Sequence, residues 1–99
     1  MCMEQVERLI ASRQPYRLYD VREPSETVSG MIPTALSLPL SELQPAQIQE
    51  LAGCRDLLCF YCEKGGRAER VANLVAAHRP ADVHYYPGSM AEWRTKHHP

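Results

Sequence analysis

From Asp56 to Tyr61 the chain is almost continuously apolar, and Cys62-Glu63-Lys64-Gly65-Gly66-Arg67 follows at once. After that loop Val71, Leu74, Val75 and His78 recur at i, i+3, i+4 and i+7, which predicts an amphipathic helix over 67–78 with one apolar face. An unbroken apolar run is what a strand buried on both faces looks like, and such strands belong to parallel sheets covered by helices. A strand, a tight glycine loop and a helix therefore form one βα unit, and the rest of the chain must supply more of the same. In open sheets of this kind ligands bind beyond the carboxyl ends of the strands, and Cys62 stands at such an end.

The flanking segments read accordingly. Met3 to Arg13 carries Val6, Leu9 and Ile10 on one face and predicts a short amphipathic helix, closed by Pro15. Arg17 to Val21 reads as a strand. Arg22 to Pro33, with Pro24, Gly30 and Pro33, reads as a long loop with a helical turn around Ser25 to Val28. Ala35 to Leu38 is a short strand candidate. Ser41 is placed as the N-cap of a helical turn, and Pro45 suits the first position of a helix to Leu51, with Gly53 after its end. Pro80 closes the helix after the loop. Val83 to Tyr86 reads as a strand, Pro87-Gly88 as a turn, and Met90 to Trp93 as the start of a last short helix. Strands alternating with helices predict an α/β fold with a mostly parallel sheet.

Bulk properties exclude several classes of function. A chain of 99 residues is expected to form one domain over 1–99. Its net charge of -1 offers no basic excess for nucleic acid. No apolar run approaches the ~18 residues needed to cross a bilayer, so no membrane association is expected. Met1-Cys2-Met3-Glu4 lacks the basic and apolar regions of a signal peptide, so the expected compartment is the cytoplasm. There the four cysteines, Cys2, Cys54, Cys59 and Cys62, should be reduced.

A cysteine between a strand and a helix N-terminus faces backbone N–H groups and the positive end of a helix dipole. That setting lowers a thiol pKa and favours the thiolate, which is the reactive form. Gly65 and Gly66 allow the loop to curl, and Lys64, Arg67 and Arg70 add positive charge. Cys62 is therefore read as a nucleophile, and Cys2, Cys54 and Cys59 as packing thiols. Cys59-Phe60-Tyr61-Cys62 also matches C-x-x-C, but side chains three apart on a strand point to opposite faces, against a shared disulfide or metal. No second Cys/His pair stands at zinc spacing. A tyrosine-phosphatase loop is Cys-x5-Arg, whereas here Arg67 comes after four residues and the position that loop gives its arginine holds Ala68. The shorter cradle suits one sulfur atom rather than a phosphoryl group. His78 is expected to pack partly buried on its helix, His84 lies in a strand, and His97-His98 read as a frayed terminus able to bind metal adventitiously. No histidine is placed beside Cys62, so activation rests on dipoles and cations rather than a general base.

Four motifs, in order, resemble the single-domain rhodanese (thiosulfate sulfurtransferase-like) family. Tyr19-Asp20-Val21-Arg22-Glu23-Pro24-Ser25-Glu26 is similar to its D-V-R-x-x-x-E segment, and Gly30-Met31-Ile32-Pro33-Thr34-Ala35 to its G-H-I-P-G-A segment. Cys62 to Arg67 is similar to its six-residue active-site loop, and Pro87-Gly88-Ser89-Met90-Ala91-Glu92-Trp93 to its G-G-x-x-x-W segment. The resemblance implies a rhodanese-like α/β fold, with a central, mostly parallel sheet of four to five strands and helices on both faces. It implies that Cys62 forms a persulfide, that the backbone from Glu63 through Lys64, Gly65 and Gly66 to Arg67 cradles the outer sulfur, and that Asp20 and Arg22 give structural and electrostatic support. Met31, Thr34 and Pro87 depart from the family's His, Gly and Gly. The family's first edge strand is expected to be reduced to Cys2-Met3 or lost.

The expected activity is transfer of a sulfane sulfur from thiosulfate or a related small anionic donor to a thiophilic acceptor, a thiol or a protein, with no metal or organic cofactor. The alternative is a dedicated persulfide carrier, a sulfur-relay module for a protein partner with little turnover of free thiosulfate.

Overall fold

The computed structural model describes residues 1–79 and 81–97. In chain order the elements are α1 (Met3–Ala11), β1 (Tyr16–Asp20), α2 (Pro24–Thr27), β2 (Leu36–Ser37), a 3-10 turn (Leu40–Glu42), α3 (Pro45–Gly53), β3 (Leu57–Tyr61), α4 (Gly66–Ala76), β4 (Val83–Tyr85) and α5 (Ser89–Lys96). The strands form one parallel sheet in the order β2-β1-β3-β4. In register, Leu18 lies opposite Cys59 and Asp20 opposite Tyr61. The strand after β1 lies to one side of the β1–β3 pair and the strand after β3 lies to the other. The chain therefore parts above these two central strands, and a crevice opens at their carboxyl ends.

Alternation along β3 divides the core into two layers. Leu57, Cys59 and Tyr61 face a cluster with Val6 and Leu9 of α1 and Met90 and Trp93 of α5. Leu58, Phe60 and Cys62 face the other side, against Leu51 of α3 and Ala68, Val71, Ala72 and Val75 of α4. Every residue of β3 is buried, as its apolar run implied. Full burial of a Leu or Phe side chain stabilises by about 1.5–3 kcal/mol, so β3 is the thermodynamic centre that holds the loop after it.

Helix starts follow local chemistry. In α1 the Cys2 N–H donates to Gln5 Oε1 at 2.7 Å, and in α3 the Gln44 N–H donates to Gln47 Oε1 at 2.7 Å. Pro24 and Pro45 occupy first-turn positions, where a missing N–H costs nothing.

Of the two outcomes expected for the first edge strand, loss is the one found: no strand forms at Cys2-Met3, where Cys2 caps α1, and the sheet has four strands. Other expectations change. Ser41 lies inside the 3-10 turn rather than before it, and its N–H and hydroxyl both bond the Glu23 carboxylate. Gly53 is the last residue of α3, not the residue beyond it. The buried stripe of α4 is Ala68-Val71-Ala72-Val75, while Leu74 and His78 are exposed. The helix turns two alanines and two valines onto the sheet-side cluster and leaves Leu74 outside. It ends at Ala76, which removes His78 from any helical face. Pro80 lies outside the described residues. Thr34, at a position where the related motif has glycine, keeps a positive φ of 72°, unusual for a β-branched residue.

Candidate active site

Cys62 leaves the end of β3 with 1% of its surface exposed, at the base of a pocket of about 370 Å³. Glu26, Glu63, Lys64, Gly66 and Arg67 complete the lining. The Gly65 N–H donates to Cys62 Sγ at 3.0 Å. Beyond it α4 begins, and the first N–H groups of a helix have no partner within the helix. In α4 the first intrahelical bond is Glu69 N–H to the Gly65 carbonyl at 2.9 Å. The dipole of this 11-residue helix places positive potential beside the sulfur.

Gly65 carries the loop's conformational demand alone. Its φ is +105°, and a Cβ there would stand 2.4 Å from the Pro87 carbonyl oxygen. At Gly66 φ is not positive and a Cβ would meet nothing within 4 Å. Of the two glycines read as allowing the curl, Gly65 is the one whose backbone requires it.

A second helix terminus holds the loop from behind. The N–H of Met90 donates to the Cys62 carbonyl at 2.9 Å and that of Ala91 to the Glu63 carbonyl at 3.0 Å. In a trans peptide the C=O and N–H point in opposite directions. Fixing those carbonyls on α5 therefore turns the N–H groups of Glu63 and Lys64 away from α5. Ser89, fully buried with φ 55°, finishes the arrangement. Its Oγ accepts from the Cys62 N–H at 3.1 Å, donates to the Tyr86 carbonyl at 2.8 Å, and lies 3.9 Å from Cys62 Sγ.

Asp20 and Arg22 come from the neighbouring strand end and are fully buried. Arg22 Nη2 donates to Asp20 Oδ2 at 2.8 Å and to the Gly30 carbonyl at 2.7 Å, and Nη1 reaches Glu63 Oε1 at 3.5 Å. Burial opposes the Arg22 charge, but the hydrogen bonds and charge of Asp20 outweigh it and hold the guanidinium pKa above its ordinary value. Glu63 is also gripped by both Nη groups of Arg94, one at 3.0 Å, and this contact lowers the Glu63 pKa. Asp20, Arg22, Glu63 and Arg94 thus form one chain of alternating charge.

Arg67 is less free than the sequence implied. Its Nη1 and Nη2 bond Glu26 Oε2 and Oε1 at 2.7 and 2.8 Å. The Arg67 hydrogen bonds, with a further one from the Glu23 N–H, hold the Glu26 carboxyl down at about 2. Arg67 responds in the opposite sense, its pKa raised by the same contact. Lys64 and Arg70 are exposed. Of the three cations counted from the sequence around Cys62, Arg67 is thus the one matched by a carboxylate among the described residues.

Glu63, Lys64, Gly66 and Arg67 line the same pocket as Cys62, Gly65 bonds its sulfur, and the buried Asp20–Arg22 pair reaches the loop through Glu63. Glu26 and Ser89 lie inside the quoted motifs but carried no assigned role, and Arg94 gave no sequence signal. The other cysteines stay apart. Cys59 faces the opposite layer from Cys62, and burial pushes its thiol up to about 12, which disfavours the thiolate. His97 does not fray: its ring stacks on Trp93 with centroids 3.9 Å apart, and Nε2 lies 2.7 Å from Glu7. His98 lies outside the described residues. Among the described residues no group of three or more His, Cys, Asp and Glu side chains is placed to hold a metal ion, and no helix is long and apolar enough to cross a membrane.

A parallel sheet with this six-residue loop at its central crevice is matched over residues 3–96 by the rhodanese-like domain model, and the chain belongs to that family. A human thiosulfate:glutathione sulfurtransferase is 31% identical, the match covering 95% of this chain and 91% of that protein. A sulfurtransferase of Allochromatium vinosum is 37% identical, covering 91% and 82%. The structure of the human single-domain sulfurtransferase TSTD1 superposes with a TM-score of 0.76 at 29% identity, over 98% of this chain and 96% of that one.

Proposed function

We propose that this protein transfers a sulfane sulfur from thiosulfate or a related anionic donor to a thiophilic acceptor through a persulfide on Cys62. The Cys62 thiolate attacks the outer sulfur of the donor. A new S–S bond forms, the donor's S–S bond breaks, and sulfite leaves with the bonding pair. The persulfide's terminal sulfur then carries negative charge among the N–H groups of the Glu63–Arg67 loop. Fixed donors aimed at a developing charge stabilise it as an oxyanion hole does. A thiolate acceptor then removes that sulfur and regenerates Cys62. The name of the human relative points to a thiol acceptor of the glutathione kind.

One observation carries this reading: the Gly65 N–H on Cys62 Sγ at 3.0 Å, at the base of an open pocket and in front of the α4 terminus. The loop holds one sulfur atom and leaves little room for a tetrahedral phosphate. Asp20 and Arg22 act behind it, by keeping Glu63 and the Gly30 turn in place.

The test is the intact mass of the protein after incubation with thiosulfate, followed by peptide mapping. The expected result is one added sulfur on Cys62, absent in Cys62→Ser, whose hydroxyl cannot form a persulfide. A sulfur found instead on Cys59, or Cys62-dependent hydrolysis of an aryl phosphate, overturns the proposal. Loading with slow release to free thiols would identify a dedicated carrier rather than a turnover enzyme.

A further inference from the structure

We propose that Glu26 sets the donor specificity of this site: by holding Arg67 it disfavours dianionic donors relative to monoanionic ones. The inference rests on the sulfur-transfer reading above. The pocket is lined by two carboxylates, Glu26 and Glu63, and two cations, Lys64 and Arg67. Glu63 is already satisfied by Arg94 and Arg22. Arg67 points its whole fork at Glu26. Lys64 has no carboxylate partner among the described residues, but it is exposed and solvated. A donor entering the pocket thus meets a nearly neutral rim and a thiolate at its base. To gain a guanidinium, the donor must displace Glu26.

Glu26 is held firmly. Its Oε2 accepts the Glu23 N–H at 2.8 Å as part of the α2 cap, as well as Arg67 Nη1. The pairing spans 41 residues and joins α2 to the first turn of α4. The carboxylate therefore acts twice against an incoming dianion: it occupies the cation and it repels the donor. Both effects are weaker for a donor with one charge fewer.

Two probes isolate donor charge while keeping the chemistry the same. Thiosulfate is a dianion whose leaving group is sulfite. Methanethiosulfonate anion carries one negative charge, and its leaving group is methanesulfinate. With either, the Cys62 thiolate takes the terminal sulfur, the S–S bond of the donor breaks, and charge is conserved. Glu26→Gln preserves an oxygen for the Glu23 N–H but replaces the other with an amide that cannot accept from Arg67.

The experiment measures kcat and KM with both donors, with cyanide as acceptor. Glu26→Gln should raise kcat/KM for thiosulfate by about tenfold, the scale of one charged hydrogen bond. The gain should appear in KM, with a much smaller change for methanethiosulfonate. In an Arg67→Ala background the same substitution should gain less than about threefold, because the cation it releases is gone. Glu26→Ala, which also loses the α2 cap, should raise the thiosulfate preference in the same direction. An unchanged or reduced preference in both Glu26 variants overturns the proposal, as does a full gain without Arg67. If neither donor adds a sulfur to wild-type Cys62, the sulfur-transfer reading itself fails and this inference falls with it; if Cys62 loads but the preference stays fixed, only this inference fails.

Discussion

Among single residues, Gly65 best shows how backbone conformation serves chemistry here. Its positive φ brings its own N–H onto Cys62 Sγ, and its missing Cβ lets Pro87 approach from behind. An alanine would carry about 1–2 kcal/mol of backbone strain and a clash with a backbone carbonyl that cannot rotate away. Gly65→Ala should therefore lower stability in urea unfolding by at least that amount, and should slow persulfide formation on an intact Cys62. Gly66→Ala meets open space and should leave stability nearly unchanged. Equal losses in the two variants would show that the loop's shape does not depend on Gly65. Cys62 itself was legible in the sequence, because strand end, glycine and helix start are consecutive. The asymmetry between the two glycines was not, since it depends on Pro87, which packs in from the far side.

Two helices meet the loop by the same end and do different work. The α4 terminus faces the sulfur, while the first N–H groups of α5 are spent on the Cys62 and Glu63 carbonyls. Ser89 is the joint between α5 and the strand end. Ser89→Ala would leave the Cys62 N–H and the Tyr86 carbonyl without this buried partner. An unsatisfied buried group costs about 1–3 kcal/mol. Unfolding in urea should register a loss of about 2 kcal/mol or more, and sulfur loading should slow even where the protein remains folded. A variant with full stability and wild-type loading would show that α5 does not position Cys62. The sequence placed a helix near Met90, but not its bonds to the loop. The helical pattern of α4 was equally clear, and its inward face was chosen by the sheet rather than by hydrophobicity alone. Ala68, Val71, Ala72 and Val75 face the β3 cluster, and Leu74 is left outside.

Across the whole molecule, ion pairs join segments that the sheet alone does not connect. Glu26–Arg67 ties α2 to α4, and Glu63–Arg94 ties the loop to α5. These pairs make stability depend on acid. Glu26 is held at about 2, below its ordinary value near 4.5. A carboxyl lowered on folding stabilises above its unfolded pKa and loses that contribution as pH falls through the folded value. Wild type should therefore be more stable than Glu26→Gln at pH 7, and the gap should close between about pH 5 and pH 2. Urea unfolding of both proteins at several pH values in this window reads the effect directly. A gap that stays constant or widens toward low pH would contradict the pairing. The pair is one-third exposed, so solvent screens it and added salt should narrow the gap as well.

What the sequence determined by itself is whatever local chemistry can encode. The apolar run of β3, the glycine at its exit, the prolines at helix starts and the alternation of elements each need only a few neighbouring residues. The four motifs in order were enough to point to the family. Tertiary structure decided which charges meet. Glu26 finds Arg67 across 41 residues, Arg94 finds Glu63 across 31, and Ser89 finds Cys62 across 27. No periodicity records such pairings, because they follow from how strand ends and helix termini are brought together above the sheet. Counting residues near Cys62 suggested a strongly positive site. Folding pairs Arg67 with Glu26 and leaves Lys64 and Arg70 exposed, because a half-buried guanidinium is stabilised by a fixed partner where water is partly excluded.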